Sequence, residues 1–416
     1  YLLWPDVRLL LVSQAVSIAF GAALVGLLAA KHGLGKASLA VEAGFAFSYG
    51  VMSAIVRDFH EVGFGLPLLI GALWALLDGR LGRLAAFSAC LLLVKEDMPL
   101  YIAGFGLVLF AVGRRLAGVL FAAAAAVAEI LLLYVVIPAF SYSGRYTYIG
   151  GGARGIRSPA DAVAELAGHL ASWQGLAFLF LIAATAGVGL TSKLLWALAP
   201  PAASRFLSHD PVYLGFHYHY GVLLTAVCFA AMIDALSRRA EAGLAEAGLA
   251  AGAGMTTPPG GEADAAGRKA RFGRLRGVQA VLLAVGALGG VAGSDSLSRT
   301  ADFFGAGAVL AEQRSVAAAI PDGAAVVADV YLLDHIIDRT DVTVAFPLRL
   351  DAGGQPLWQD ETGIPLEGDF VFLDLETRGY DNRTAPWAAS LAAWLEESGD
   401  YQVVDRSGRF LLFGRV

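Results

Sequence analysis

The run Leu91-Leu92-Leu93-Val94-Lys95-Glu96-Asp97-Met98-Pro99-Leu100-Tyr101 sets three adjacent ionisable side chains between two apolar segments. A loop on a water-soluble protein would hold Gly, Ser or Asn at such a point; here the apolar run stops at Val94 and resumes at Met98, with Pro99 suited to the first turn of a helix. The same pattern, a long apolar run ended by a short polar cluster, recurs through the first 293 residues. It accounts for the unusual composition of the 416-residue chain: 57% hydrophobic, 16% charged and a mean hydropathy of +0.63. Soluble domains carry about 25% charged residues, so the main solvent of this part of the chain is predicted to be lipid.

A helix needs about 20 residues to cross roughly 30 Å of hydrocarbon. About ten segments qualify or come close: 6–30, 36–56, 62–78, 82–95, 98–113, 116–138, 173–192, 194–207, 216–236 and 276–293. The fourth and eighth are short, and Ala199-Pro200-Pro201 marks the eighth as a broken helix of the kind that lines a cavity. The predicted fold class is therefore mainly α, a polytopic transmembrane bundle over 1–293, followed by a small α/β domain over 294–416.

Loop charge predicts the orientation. Lys31 and Lys36, Arg80 and Arg83, Arg114 and Arg115, Lys193, Arg238 and Arg239, and the cluster from Arg268 to Arg276 fall on alternate turns, which the positive-inside rule places in the cytoplasm. The other turns, and the domain after residue 293, then face outward. Residues 240–275 begin with a tandem Ala-Glu-Ala-Gly-Leu and read as a flexible cytoplasmic linker. In the last domain, β-rich runs at 324–330, 342–346, 370–375 and 410–416 alternate with helical patterns at 331–339 and 386–397. The first strand enters its helix without a glycine-rich turn, which argues against a dinucleotide site.

The formal charge of -6 and the lack of basic motifs with interleaved aromatics exclude a nucleic-acid partner. Cys90 and Cys228 sit in apolar runs and form no disulfide framework. Five of the 30 basic residues are lysine and one residue is asparagine, the usage of a GC-rich, bacterial coding sequence. The chain starts at Tyr1 without a signal peptide, so a preceding segment is expected.

An ionisable side chain costs roughly 2.5–3.5 kcal/mol at membrane depth on insertion scales, so polar clusters at helix ends carry information. Four share the outward turns: Arg57-Asp58-Phe59-His60-Glu61, Lys95-Glu96-Asp97, the stretch around Arg145 and Tyr146, and His217-Tyr218-His219-Tyr220. Each has a plain reading too. Arg57 and Asp58 suit a solvated turn, Lys95 and Glu96 can pair with each other while Asp97 caps the next helix, and the tyrosines suit an interfacial belt. A divalent metal stays open as cofactor. The His217 and His219 spacing would bind one only from extended backbone, with Glu61, Asp97 or His60 completing the set. Glu42 and Glu129 lie inside apolar spans without basic neighbours and are expected to face other helices.

The ordered series Phe59-His60-Glu61, Leu93 to Asp97, Ser143 to Tyr146 and His217 to Tyr220 resembles a family of prokaryotic membrane proteins known as a domain of unknown function. The tail, including Ile320-Pro321-Asp322 and Asp369 to Asp374, resembles that family's extracytoplasmic module. The family is in turn similar to GT-C glycosyltransferases, which move sugar from polyprenyl phosphate on the outer membrane face. Its members begin with a further helix and an outer loop bearing an acidic residue. Both would precede Tyr1, so the carboxylate most often assigned as the GT-C base has no counterpart in this sequence.

Sugar transfer needs a carboxylate to take the acceptor's proton and cations to steady the departing phosphate. The outward clusters supply both types, which makes Asp97, Glu61 or Glu96 the expected catalytic or substrate-orienting carboxylate, with Lys95, Arg57 and Arg145 on the donor phosphate. His60, His217 and His219 would hold hydroxyls, with Tyr146 and Tyr218 beside the sugar. The expected partners are membrane lipid, a polyprenyl-phosphate sugar donor and an envelope glycan or protein acceptor. A transporter of a small or lipid-linked substrate, and a non-catalytic envelope-binding protein, are the rival readings.

Overall fold

The computed structural model describes residues 7–56, 59–141, 144, 146, 159–172, 187–208, 213, 219–252, 307–329, 332, 333, 336, 337, 339–344, 368–376 and 387–416, with backbone alone at 7, 159, 162, 165, 240–252, 344 and 387. The chain forms two compact units, residues 11–298 and residues 299–416 with the first ten. It is mainly helical and ends in a five-stranded mixed sheet.

In the first unit α1 (Val7–Ala29), α2 (Ala37–Ala46), α3 (Tyr49–Ile55), α4 (Val62–Leu77), α5 (Leu81–Leu91), α6 (Met98–Ala111) and α7 (Arg115–Leu131) follow one another through short turns. α7 continues through a π-helical turn, Leu132–Val136, into Ile137–Phe140. α8 (Pro159–Leu170), two 3-10 turns (Val188–Thr191 and Lys193–Leu198), α9 (Ala199–Phe206) and α10 (Gly221–Gly252) complete it. Among the described residues three helices are long and apolar enough to cross a membrane, Arg8–Leu34, Arg115–Phe140 and Gly221–Arg239, and the bent pair α2 and α3 makes a fourth candidate. The segments read at 62–78, 82–95 and 98–113 are shorter apolar helices; most of 173–192 and all of 276–293 lie outside the described residues. The segment at 194–207 is a broken one, a 3-10 turn running into α9.

The stretch at 36–56 reads as one helix but bends by 50°. The bend falls at Ser48, whose backbone is extended (φ -65°, ψ 153°) and whose hydroxyl donates to the Phe45 carbonyl at 2.6 Å. It lets α3 come against α10 at Gly50, where a β-carbon would lie 2.7 Å from the Gly221 carbonyl oxygen. Glycine also sets the α6–α7 contact: a β-carbon on Gly106 would lie 2.7 Å from the Gly118 oxygen, and one on Gly118 equally near the Gly106 oxygen. Small residues at such crossings are how helices gain packing in lipid, where burial of apolar area gives no drive.

α4 and α6 end alike. Gly79 (φ 68°) and Gly113 (φ 89°) adopt left-handed backbone, and the following Arg80 and Arg114 donate their N–H to Ala75 and Leu109 at 2.8 and 2.9 Å, a Schellman termination. Arg114 Nη1 then donates to the Gly79 carbonyl at 2.9 Å. Lys31 pairs with Asp78 at 2.5 Å, Lys193 Nζ donates to the Ala111 carbonyl at 2.9 Å, and Arg238 donates to the Thr191 carbonyl at 3.0 Å. One end of this unit is thus a connected basic network. α10 stays helical through Gly252, so residues 240–252 of the stretch read as a linker are helix; Ala, Glu and Leu are strong helix formers. The rest of that stretch lies outside the described residues.

In the second unit α11 (Gly307–Ala317), β1 (Ala325–Ala328), β2 (Asp341–Val344), β3 (Phe370–Asp374), α12 (Trp387–Ser398), β4 (Tyr401–Ser407) and β5 (Phe410–Arg415) build a sheet of order β2-β1-β3-β5-β4. β1 pairs parallel with β2 and β3, and β5 runs antiparallel between β3 and β4. Alternation along the strands divides the core. Val371, Leu373, Leu411 and Phe413 pack on α12, while Phe372, Phe410 and Leu412 pack with Val316 and Ala317 of α11.

Candidate functional site

α4 and α6 both run from an acidic N-terminal end to the basic end, so Glu61, the N-cap of α4, and Asp97, the N-cap of α6, share one end of the bundle. Lys95 Nζ bonds Glu61 Oε1 at 2.6 Å. Burial works against ionisation of Glu61, yet the Lys95 hydrogen bond and charge outweigh it and hold the carboxyl below its usual range. For Lys95 too, burial is outweighed by Glu61, which drives the ammonium well above its ordinary value. The expected pairing of Lys95 with Glu96 is replaced by this longer-range pair. Glu96 Oε1 instead accepts from the Tyr146 hydroxyl at 3.2 Å.

Asp97 caps nothing: its side chain makes no bond to the first turn of α6. One carboxylate oxygen, Oδ1, is sealed from solvent and has no hydrogen-bond partner among the described residues, while the residue as a whole is part-exposed. Burial, with Glu96 and Glu61 adding to it and Lys95 opposing, pushes its carboxyl up to about 6. The side chain lines a small, half-open recess together with Tyr101, Pro201, Arg205, Tyr213, Tyr220 and Leu224, with interior room for about one water.

Arg205, 2% exposed, is the residue that sequence reasoning missed. Its Nε donates to the Tyr213 carbonyl at 2.7 Å, and its guanidinium lies 5.6 and 5.7 Å from the Tyr213 and Tyr220 ring centres. The signal was present: a lone arginine in the broken apolar segment at 194–207 is costly unless used.

Beside the cavity the His60 and His219 rings stack with centroids 3.5 Å apart, and His219 is 4.1 Å from the Tyr220 ring. His219 is buried, neither ring nitrogen has a hydrogen-bond partner among the described residues, and burial, aided by the charges of His60, Lys95 and Arg205, lowers it to about 2. Its surroundings favour the neutral imidazole. Gln14 of α1, also missed, fastens the turn before α4: its Oε1 accepts the His60 N–H at 2.5 Å and its Nε2 donates to the Ala54 carbonyl at 3.2 Å. Gly63 leaves room for it, since a β-carbon there would lie 2.9 Å from Gln14 Cγ.

The structure thus gathers Glu61 with Lys95, Glu96 with Tyr146, His60 with His219, and Asp97 with a buried arginine. Arg57, Arg145, His217 and Tyr218 lie outside the described residues. Among the described residues no three His, Cys, Asp or Glu side chains are grouped so as to hold a metal ion. Glu42 does face another helix, its carboxylate filling the space that a β-carbon on Gly26 of α1 would take.

Fold and site define a membrane protein with several candidate transmembrane helices and a polar recess at the end of the bundle opposite its basic network. Residues 1–408 match the family described as predicted membrane protein (DUF2079), of unknown function, and the chain belongs to that family. No curated protein and no solved structure matches it.

Proposed function

We propose that this protein is a membrane glycosyltransferase of GT-C type, moving a sugar from a polyprenyl-phosphate donor to a cell-envelope acceptor at the outer face. The observation that carries this reading is the Asp97 recess: a part-buried carboxylate, whose Oδ1 has no hydrogen-bond partner among the described residues, lines the same recess as a buried guanidinium and three tyrosines. The acceptor hydroxyl attacks the anomeric carbon and gives its proton to Asp97. The bond from that carbon to the phosphate oxygen breaks, and the phosphate departs with the electron pair, steadied by Arg205. A carboxyl at about 6 suits a base, being stronger than an ordinary aspartate yet ionised at neutral pH. His219, neutral, is left to hold hydroxyls.

Depth supports a lipid-linked donor. α6 has 14 residues and α7 with its continuation 26, or about 21 and 39 Å of rise. Both leave the same basic turn, so Asp97, in the polar turn before α6, stands at the membrane surface while α7 runs on about 18 Å past it. A phosphate tethered to a membrane chain reaches that level. On this reading the short helices also lie in the bilayer, giving about ten membrane segments, the basic ends are cytoplasmic, and the unit after residue 293 is extracytoplasmic.

The test is turnover by the full chain in nanodiscs with a panel of polyprenyl-phosphate sugars and envelope extract as acceptor, read as release of polyprenyl phosphate by mass spectrometry. Release by the wild type and a loss of about 10²-fold or more in Asp97→Asn is expected. Equal release by the variant, or uptake of intact donor into proteoliposomes without cleavage, would overturn the reading in favour of transport.

A further inference from the structure

The Asp97 recess has interior room for about one water, and a sugar ring with its phosphate is many times larger. Some part of its wall must therefore move before such a ligand enters. Tyr220 belongs to that wall, its ring 5.1 Å from that of Tyr213 and 5.7 Å from the Arg205 guanidinium. The residue before it, His219, lies 4.1 Å ring to ring from Tyr220 and stacks at 3.5 Å on His60. One contact thus joins the recess wall to the turn before α4.

The two sides of that contact differ. His60 stands on a fixed turn: Gln14 of α1 accepts its N–H, Lys95 pairs with the neighbouring Glu61, and Ser17 donates to the Gly63 carbonyl at 3.0 Å. On the other side α10 is pinned from Gly221 onward, where the carbonyl oxygen accepts from the Thr225 hydroxyl at 2.8 Å and lies against Gly50 of α3. His219 and Tyr220 precede that anchor. His219 is 4% exposed, and both its ring nitrogens are sealed from solvent without a hydrogen-bond partner among the described residues. Each has given up a bond to water and gained none, which brings the closed arrangement close in free energy to one with the ring turned out. An atom so placed marks stored strain or a place for a ligand.

We propose that His219 and Tyr220 form a lid on the Asp97 recess, latched by the stack of His219 on His60, and that the ligand enters when the stack parts. Parting moves the Tyr220 ring out of the wall. The His219 nitrogens, one a donor and one an acceptor in the neutral ring, then meet hydroxyls of the entering sugar. The inference rests on the recess being the donor's site, but its test uses no donor, so failure of the latch and failure of the transferase reading are told apart.

The test reads how fast a thiol inside the recess is reached. Leu224 lines the recess and is 2% exposed. The variant Leu224→Cys is made in a Cys90→Ser chain in nanodiscs, and its labelling by a charged thiosulfonate is followed by mass spectrometry. Native Cys228, buried one turn further along α10, is the internal control for an intact bundle. His60→Ala removes the latch and is expected to speed labelling about tenfold, while Cys228 stays unmodified. His219→Phe keeps a stacking ring without the sealed nitrogens and is expected to slow labelling below the rate with the native latch. An unchanged rate in His60→Ala with Cys228 unmodified would overturn the proposal. Should that variant expose Cys228, His219→Phe decides: slower labelling supports the latch, and a rate equal to or above that with the native latch overturns it.

Discussion

Asp97 does two opposed things to the molecule. Its carboxyl, ordinarily at 3.8, sits at about 6 in the folded chain, so folding favours the protonated form. That stability is complete below pH 3.8 and is lost as pH rises through about 6. Asp97→Asn, neutral throughout, is therefore expected to match the wild type near pH 4 and to exceed it above pH 6. The gain should be on the order of 1–3 kcal/mol, with part-exposure drawing it toward the lower figure. Thermal unfolding at the two pH values checks this; a variant no more stable than the wild type at the higher pH would show that the carboxyl is well solvated. The sequence revealed which residues lie at this level but not which of them touch. Lys95 finds Glu61, 34 positions away, because apolar periodicity reports depth and face, whereas the direction of a side chain around the bundle axis depends on packing. Gln14 and Arg205 were legible in kind, as single polar residues in apolar runs.

At the scale of elements, the α6–α7 seam holds the recess together. Glycine at 106 and 118 brings two backbones into contact, and the Asp97 end of α6 is fixed by that contact and by the Gly113 turn. Gly118→Leu is expected to part the helices and destabilise the protein by about 1–3 kcal/mol, measured as a lowered unfolding temperature in detergent. An unchanged temperature would show that the seam is looser than the close approach implies. Helix starts and stops were readable from charge and glycine, and so were four of the five strands. β4 was not, because its residues Gln402 to Asp405 are polar or exposed on an edge strand with a bulge between Val403 and Asp405, which gives no hydrophobic alternation. The break at Ser48 was also hidden; only the contact with α10 makes it necessary.

For the helical unit as a whole, five of the six basic turns picked out by sequence, those of Lys31, Arg80, Arg114, Lys193 and Arg238, bond at one end through Asp78, Gly79, Ala111 and Thr191, the sixth lying outside the described residues, and the described acidic and histidine residues meet at the other end. This sorting follows from sequence alone, since lipid forces charges to helix ends. The reaction does not follow from it, because carboxylates near cations serve transfer and transport alike until a ligand defines which groups it uses. A structure of the full chain in nanodiscs with polyprenyl phosphate is the most direct measurement. The expected result is phosphate within hydrogen-bond reach of Arg205 with the Asp97 carboxylate across the cavity from it. Phosphate bound instead at the Lys31, Arg80 and Arg114 end, with the recess unchanged, would contradict the account.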